Sequence, residues 1–302
     1  MMKIFKNRWF VILLILAITI IVIQYLKSIT QSYQKEGFTQ NVPFLLKTND
    51  RIYDSFYAMI YDDLHLPQKS IDFTYKRLLS NTQPSTQNSV FLDVGSGTGH
   101  LVNSLKKAGY RAFGIDKSQA MIDISEKLFP DIETKCGDVK DPLTFDKGTF
   151  THITCMDFTI YHIEDKVQFF SNCYYWLKPN SYLIVHLVDK MRFSPIVPAG
   201  NPLVNDNPQK YSNERIKNTK IDFIDFVYDN KYTFDNKNNQ VLRTESFTDK
   251  KSGNVRQNEL TLYMEELDDI VYMAKRCGFI AHSQTKYPND DYQYIYIFER
   301  TM

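Results

Sequence analysis

Between residues 89 and 187 the chain alternates short apolar runs with amphipathic stretches, and few folds accept that rhythm. The runs lie at 89–94, 111–115, 132–136, 152–156 and 182–187; all but 132–136 are markedly apolar. Between them, 101–108, 119–128 and 166–177 repeat apolar residues at three- and four-residue spacing, the mark of one-sided helices. An apolar strand that returns through such a helix pairs in parallel with the strand before it. The result is a parallel sheet covered by helices on both faces. With 302 residues, 43% of them hydrophobic, there is core enough for one large α/β domain.

Residues 90–100 read VFLDVGSGTGH, so the first run empties into Gly95, Gly97 and Gly99. Open parallel sheets bind ligands beyond the carboxyl ends of their strands, where strand order reverses, and the first strand–loop–helix is that place. A dinucleotide fingerprint requires G-x-G-x-x-G ahead of a helix facing a pyrophosphate. Here the spacing is G-x-G-x-G, and Asp93 stands two residues before the first glycine. A carboxylate facing the ligand there repels a pyrophosphate and suits an amino-bearing ligand. A nicotinamide oxidoreductase is therefore disfavoured.

LDVGSGTG resembles the first motif of the class I S-adenosylmethionine-dependent methyltransferases. AFGIDKSQAM, CGDV, THITCMDFTIYHI and WLKPNSYLIVHLVD resemble the later motifs, in order, and the final helix with its terminal GF and two closing strands resembles the family's carboxyl end. The resemblance covers about residues 50–189 and 260–300. It implies an α/β, Rossmann-like doubly wound sheet of seven strands, mostly parallel with the last antiparallel, and S-adenosyl-L-methionine as cofactor. Asp116 is then placed to accept hydrogen bonds from both ribose hydroxyls, and Asp138 to contact the adenine amino group; each could instead cap its own loop. Asp93 reaches the methionine amino group through water or backbone. Met121 and Met156 flank the adenine or belong to the core. Tyr53, Tyr57 and Tyr61 resemble an amino-terminal helix that lids the cofactor, with a simply packed helix as the alternative. Asn180 replaces the family's usual glycine in LKPNS, and an Asn in the left-handed conformation keeps that turn.

Methyl transfer from a sulfonium is an in-line displacement accelerated by positioning. A base is needed only when the nucleophile must shed a proton near the transition state. The ends of the fourth and fifth strands offer Asp157, Tyr161, His162, His186 and Asp189. The resemblance puts 157–162 beside the methyl group, so the expected catalytic set is His162, Tyr161 and Asp157. His162 is the candidate base, or else a helix-start histidine bonded to backbone.

Residues 221–264 alternate in twos, with a DKKSGN turn, and read as antiparallel strands. This insertion, about 190–262, is the expected acceptor-binding element, and a small molecule the expected acceptor. No NPPY-like tetrapeptide follows the fourth strand, and the net charge is +1 with no basic field, which argues against nucleic acid. A catalytically silent cofactor-binding module is the competing reading. The four cysteines form no CxxC or Cys/His cluster and read as buried free thiols, with no metal site.

The amino terminus departs from this pattern. Lys3, Lys6 and Arg8 lie in a basic flank, 1–8, followed by an apolar run, 9–26, bounded by Trp9 and Tyr25. Such a run spans roughly 27 Å as a helix, about one hydrocarbon core. One transmembrane helix, a polar tether over 27–42 and a methyltransferase domain over 43–302 are the expected organisation. The anchor adds lipids and membrane-proximal proteins to the possible acceptors. Flanking charge places the amino terminus in the cytosol, whereas the absence of any Asn-x-Ser/Thr sequon favours a domain that never meets glycosylation, so the side carrying the domain stays open. A helix is also expected from Phe44, with Ile52, Phe56 and Ile60 on one stripe, and a second near 71–79.

Overall fold

The computed structural model describes residues 12, 14–22, 41–65, 67–197, 211–235, 237–287 and 290–302. Two sheets organise it. The larger has seven strands in the order β4-β3-β2-β5-β6-β12-β11, built from β2 (Val90–Val94), β3 (Arg111–Asp116), β4 (Glu133–Cys136), β5 (Phe150–Cys155), β6 (Leu177–Val188), β11 (Phe279–Tyr287) and β12 (Asp290–Arg300). β2 to β6 pair in parallel, and β12 runs antiparallel to both neighbours. This is the expected Rossmann-like sheet. Strand order reverses between β2 and β5, so their carboxyl ends open a crevice.

Every residue of β2 is buried, as a central strand between two helical layers requires. On one face, α2 (Pro67–Thr82) and α3 (His100–Lys107) pack through Ile71, Leu78, Leu101, Val102 and Leu105. On the other, α4 (Gln119–Leu128) and α5 (Lys166–Trp176) supply Met121, Phe169, Phe170 and Trp176. α1 (Ser55–His65) belongs to this second core through Tyr57, Ala58, Ile60 and Leu64. Ser118 caps α4 by accepting the Met121 amide, and Asp165 caps α5 by accepting that of Gln168. Asn180 takes φ +55°, the left-handed conformation anticipated at that turn.

The second sheet is the insertion. Its order is β1-β10-β9-β8-β7, from β1 (Phe44–Thr48), β7 (Asn218–Asp222), β8 (Phe226–Asp235), β9 (Gln240–Asp249) and β10 (Val255–Tyr263). The expected helix at Phe44 is corrected: 44–48 form a strand, because β10 offers a free ladder edge and pairs with it in parallel. The inner face reads across β8, β9 and β10 as rows: Tyr232–Arg243–Leu260, Asn230–Glu245–Asn258 and Tyr228–Phe247–Arg256. α1 lies on this face, with Phe56 and Tyr57 edge-on to Phe247.

Two buried cations join the layers. The Arg256 guanidinium donates to both oxygens of Asp54 (2.9 and 3.0 Å) and to the Ile52 carbonyl, pinning the start of α1. Lys166 donates to the carbonyls of Ile163 (2.9 Å) and Tyr263 (2.8 Å) and pairs with Glu265 at 2.7 Å, fastening the segment after β5 to the end of β10.

Residues 14–22 are helical, and Ile15, Leu16, Ile18, Ile20 and Ile21 are each more than half exposed. Among the described residues no helix is long and apolar enough to cross a membrane. The rest of 9–26, and most of the expected tether, lie outside those residues. The cysteine reading is corrected in part: Cys155 and Cys173 are buried thiols, but Cys277 is half-buried and Cys136 is exposed, because short β4 closes the edge of the sheet. No group of residues able to hold a metal ion occurs among the described residues.

Candidate functional site

The crevice beyond β2 and β5 is a cleft of about 310 Å³, with a side lobe of about 50 Å³ that shares Tyr61, Gly95, Gly97, Asp157 and Thr159. The glycine loop forms their common wall. Gly97 takes φ +51°, and a Cβ there would meet only the Tyr61 ring edge at 4.0 Å; its face is open to the cleft. Its amide donates to Asp116 Oδ2 at 2.9 Å, while Asp116 Oδ1 accepts the Ser118 amide at 2.8 Å. Asp116 thus holds the loop from the end of β3. Each of its oxygens keeps a second lone pair. Burial raises its pKa, against the pull of the Ser118, Gly97 and Lys117 amides.

One end of the large cleft is lined by Met121, Asp138 and Val139. Asp138 accepts the Lys140 amide at 2.9 Å and lies 3.3 Å from Lys117 Nζ, which also pairs with Asp50 at 2.6 Å. Burial alone would raise the Asp138 pKa; the Lys140 amide and the Lys117 ammonium outweigh it and hold the carboxyl below its usual range. In the side lobe, Asp93 is 5% exposed and accepts a 2.7 Å hydrogen bond from the Thr154 hydroxyl. Burial pushes its pKa up to about 7, with the charges of Asp157 and Asp116 adding to the rise. Thr98 and His100 line the same lobe, and both bond Asp62 of α1 at 2.7 Å.

The third wall is the segment after β5. Asp157 and Phe158 take φ +47° and +68°, a consecutive left-handed pair without glycine, which stores strain beside the cleft. His162 lines the cleft with its ring 5.8 Å from that of Tyr53. Burial, and then the charge of Arg243, lower its pKa to about 4, so the imidazole is neutral at physiological pH. Leu260, Thr261 and Tyr263 bring the insertion to the mouth.

Residues 92–185 match the family model described as a methyltransferase domain. Residues 92–185 form a methyltransferase domain. S-adenosyl-L-methionine is the cofactor of that domain. Among curated proteins, the ubiquinone biosynthesis O-methyltransferase of Coxiella burnetii is 33% identical over 103 residues, 33% of this chain and 43% of that protein. The chain thus spans less than half the length of the curated relatives it matches first. Among solved structures, an S-adenosylmethionine-dependent methyltransferase from Clostridium acetobutylicum superposes with TM-score 0.61 at 18% identity, over 82% of this chain and 98% of that one. An S-adenosylmethionine-bound amino pentose methyltransferase from Micromonospora echinaspora gives 0.54 at 14%, over 77% and 91%. These two likenesses speak to fold.

The methyltransferase domain gathers most of the expected residues into one place. Tyr61, Gly95, Gly97, Asp116, Met121, Asp138, Asp157 and His162 line the large cleft, and Asp93 and Met156 the side lobe. Four expectations are corrected. Gly99 lines neither space: a Cβ there would lie 2.6 Å from Ile132 Cδ1 and 3.0 Å from Ser125 Cβ, so its bareness serves packing. Tyr161 points into the core, where its hydroxyl donates to the Val188 carbonyl (3.3 Å) and accepts the Val188 amide (2.8 Å), locking the end of β6. Met156 packs with Phe91 and Ile184 on the opposite face from Met121, so the two methionines do not flank one ring. Tyr57 likewise faces the insertion, donating to Glu245 at 3.0 Å.

Sequence reasoning missed Thr159, whose side chain fills the space a Gly95 Cβ would need, within 2.5 Å. It also missed Thr98 and His100, which sit inside the quoted glycine motif and could have been flagged as polar groups at a helix start. Their tie to Asp62, from a distant helix, leaves no local signal.

The residues fit an adenosyl sulfonium. The open face of Gly97 admits a ligand against backbone, Asp116 has lone pairs for two hydroxyls, Asp138 is an ionised acceptor, and Asp93 awaits an amine.

Proposed function

We propose that this protein transfers a methyl group from S-adenosylmethionine to a small molecule, and that the segment 9–26 tethers it to a membrane. The observation that carries the first part is Asp116, which fixes the glycine loop with one lone pair of each oxygen and faces the cleft with the rest. When bound, the cofactor supplies an electrophilic methyl group. The chain's own work is then positioning and proton management. Asp116 and Asp138 orient the adenosine, Asp93 takes the amino group, and the Gly97 backbone lets the ligand lie close. Neutral His162 accepts a proton from the acceptor; being a weak base, it suits a nucleophile that sheds its proton late. Asp157, exposed at the junction of the two spaces, orients the acceptor or the sulfonium by charge.

The insertion forms the acceptor side, since Leu260, Thr261 and Tyr263 bound the cleft. The outward-facing isoleucines of 14–22 support the tether, because exposed apolar stretches of this kind are covered by lipid or partner in solution. A tether widens the acceptor class to lipid-borne molecules, and the relative whose name refers to ubiquinone biosynthesis agrees with that choice.

Calorimetric titration of the full chain with S-adenosylmethionine and its demethylated product is the direct test. Micromolar binding is expected, followed by label transfer from methyl-labelled cofactor into metabolite or lipid extracts. No affinity for either ligand refutes the reading. Binding without transfer to any extract favours the catalytically silent module.

A further inference from the structure

The two spaces of the site meet, and their junction has a defined occupant. Asp93, which takes the amine, lines the side lobe, whereas Asp116 and Asp138, which orient the adenosine, line the large cleft. In S-adenosylmethionine the sulfonium lies between those two ends, so it sits where the spaces join. Tyr61, Gly95, Gly97, Asp157 and Thr159 are the residues common to both.

Strained backbone delivers Thr159 to that point. The Thr159 amide donates to the Met156 carbonyl at 2.9 Å, closing a reverse turn whose two central residues, Asp157 and Phe158, are both left-handed. Such a pair persists only where its surroundings hold it, and the Phe158 ring packs against those of Phe193 (5.3 Å), His186 (5.4 Å) and Tyr161 (5.9 Å). Both branches of the Thr159 side chain then lie over Gly95: a Cβ there would be 2.5 Å from Cγ2 and 2.7 Å from Oγ1. A β-branched side chain pressed in this way keeps one rotamer, so the hydroxyl has a fixed place. Filling the space above Gly95 needs only a valine; threonine adds an oxygen. That oxygen makes no hydrogen bond among the described residues and is not one of their buried unpaired atoms, so it opens on the cleft. Thr159 also begins the 3-10 turn Thr159–His162, in which residues three apart stand one above the other, so His162 shares its face.

We propose that the Thr159 hydroxyl oxygen contacts the sulfonium methyl group and aims it at the acceptor. The inference rests on the methyl-transfer reading. Positive charge on sulfur polarises the C–H bonds of that methyl, which makes them donors to an oxygen lone pair. A neutral hydroxyl is a weaker nucleophile than the Asp157 carboxylate beside it, so it touches the methyl without taking it. In the transfer the acceptor's lone pair bonds the methyl carbon and sulfur keeps the electrons of the broken bond. His162, on the same face, takes the acceptor's proton. The displacement is in line, so fixing the direction of the methyl contributes to rate as positioning.

The test uses the full chain and S-adenosylmethionine carrying an isotopically labelled methyl group. Calorimetric titration comes first; no binding there refutes the methyl-transfer reading itself. Magnetic resonance of the bound complex follows. Cross-relaxation between the labelled methyl and the Thr159 side chain is expected, and its absence overturns the proposal. Thr159→Val keeps the packing and loses the oxygen. It should move the methyl proton resonance upfield and weaken S-adenosylmethionine binding about threefold, the worth of one weak hydrogen bond, with the demethylated product bound as before. Thr159→Ser should restore the wild-type resonance. A valine spectrum unchanged from wild type, a serine spectrum like that of valine, or an equal loss of affinity for cofactor and product overturns the proposal. Should Thr159→Val fail to fold, Thr159→Ala is read by the same criteria.

Discussion

Asp93 shows how one buried carboxyl can make ligand binding depend on pH. Its pKa is raised by burial to about 7, so half the molecules carry a proton there at neutrality. A cationic amine needs the carboxylate, and below pH 7 that proton must leave first. Affinity for S-adenosylmethionine is therefore expected to fall up to tenfold between pH 7 and pH 6, one pKa unit's worth. Calorimetry at the two pH values measures this, and Asp93→Asn should flatten the slope. An unchanged slope in the variant would place the amine elsewhere. His162 contributes nothing to that window, since its imidazole loses its proton near pH 4. Its effect on rate belongs to the acidic side.

At the scale of elements, the loop between β2 and α3 separates two uses of glycine. Gly97→Ala adds a methyl group where space is open, so its stability cost is the left-handed backbone alone, on the order of 1–2 kcal/mol, while cofactor affinity should collapse. Gly99→Ala adds the same strain plus a clash with Ile132 and Ser125, for a total nearer 3 kcal/mol. Thermal melts with and without ligand distinguish them, and equal melting temperatures would contradict the division. The same loop shows what sequence can and cannot reveal. β2, Gly95, Gly97 and Asp116 were legible because strand pattern, turn and carboxylate lie within a short span and act locally. Gly99 was misassigned because its packing partner arrives only with Ile132, after another strand and helix. Tyr161 was misassigned because a residue beside His162 can point either way, and only the Val188 backbone decides. β1 was hidden because a five-residue edge strand exists only when β10 is there to pair with it.

For the whole molecule, acid is the expected weakness. Burial lowers the pKa of His65, of His152 to about 4 and of His162 to about 4, all from an ordinary 6.5. Unfolding lets each bind a proton that the native state refuses, so these residues favour the fold increasingly as pH rises from 4 to 6.5. Asp93 and Asp116, raised in the native state, act in the opposite sense above pH 4. Three imidazoles oppose two carboxyls, so a net loss of stability is expected as pH falls below 6.5. The melting temperature should drop steadily between pH 6.5 and 5, and a flat or rising profile would show that these rings are solvated. The two sheets meet this stress together, through Lys166. Its ammonium works as a rivet: one side grips Ile163, the residue after His162, and the other grips the last turn of the insertion's ladder. If the insertion rocks when an acceptor enters, the imidazole travels with it, and the spacing between proton acceptor and incoming substrate survives the motion.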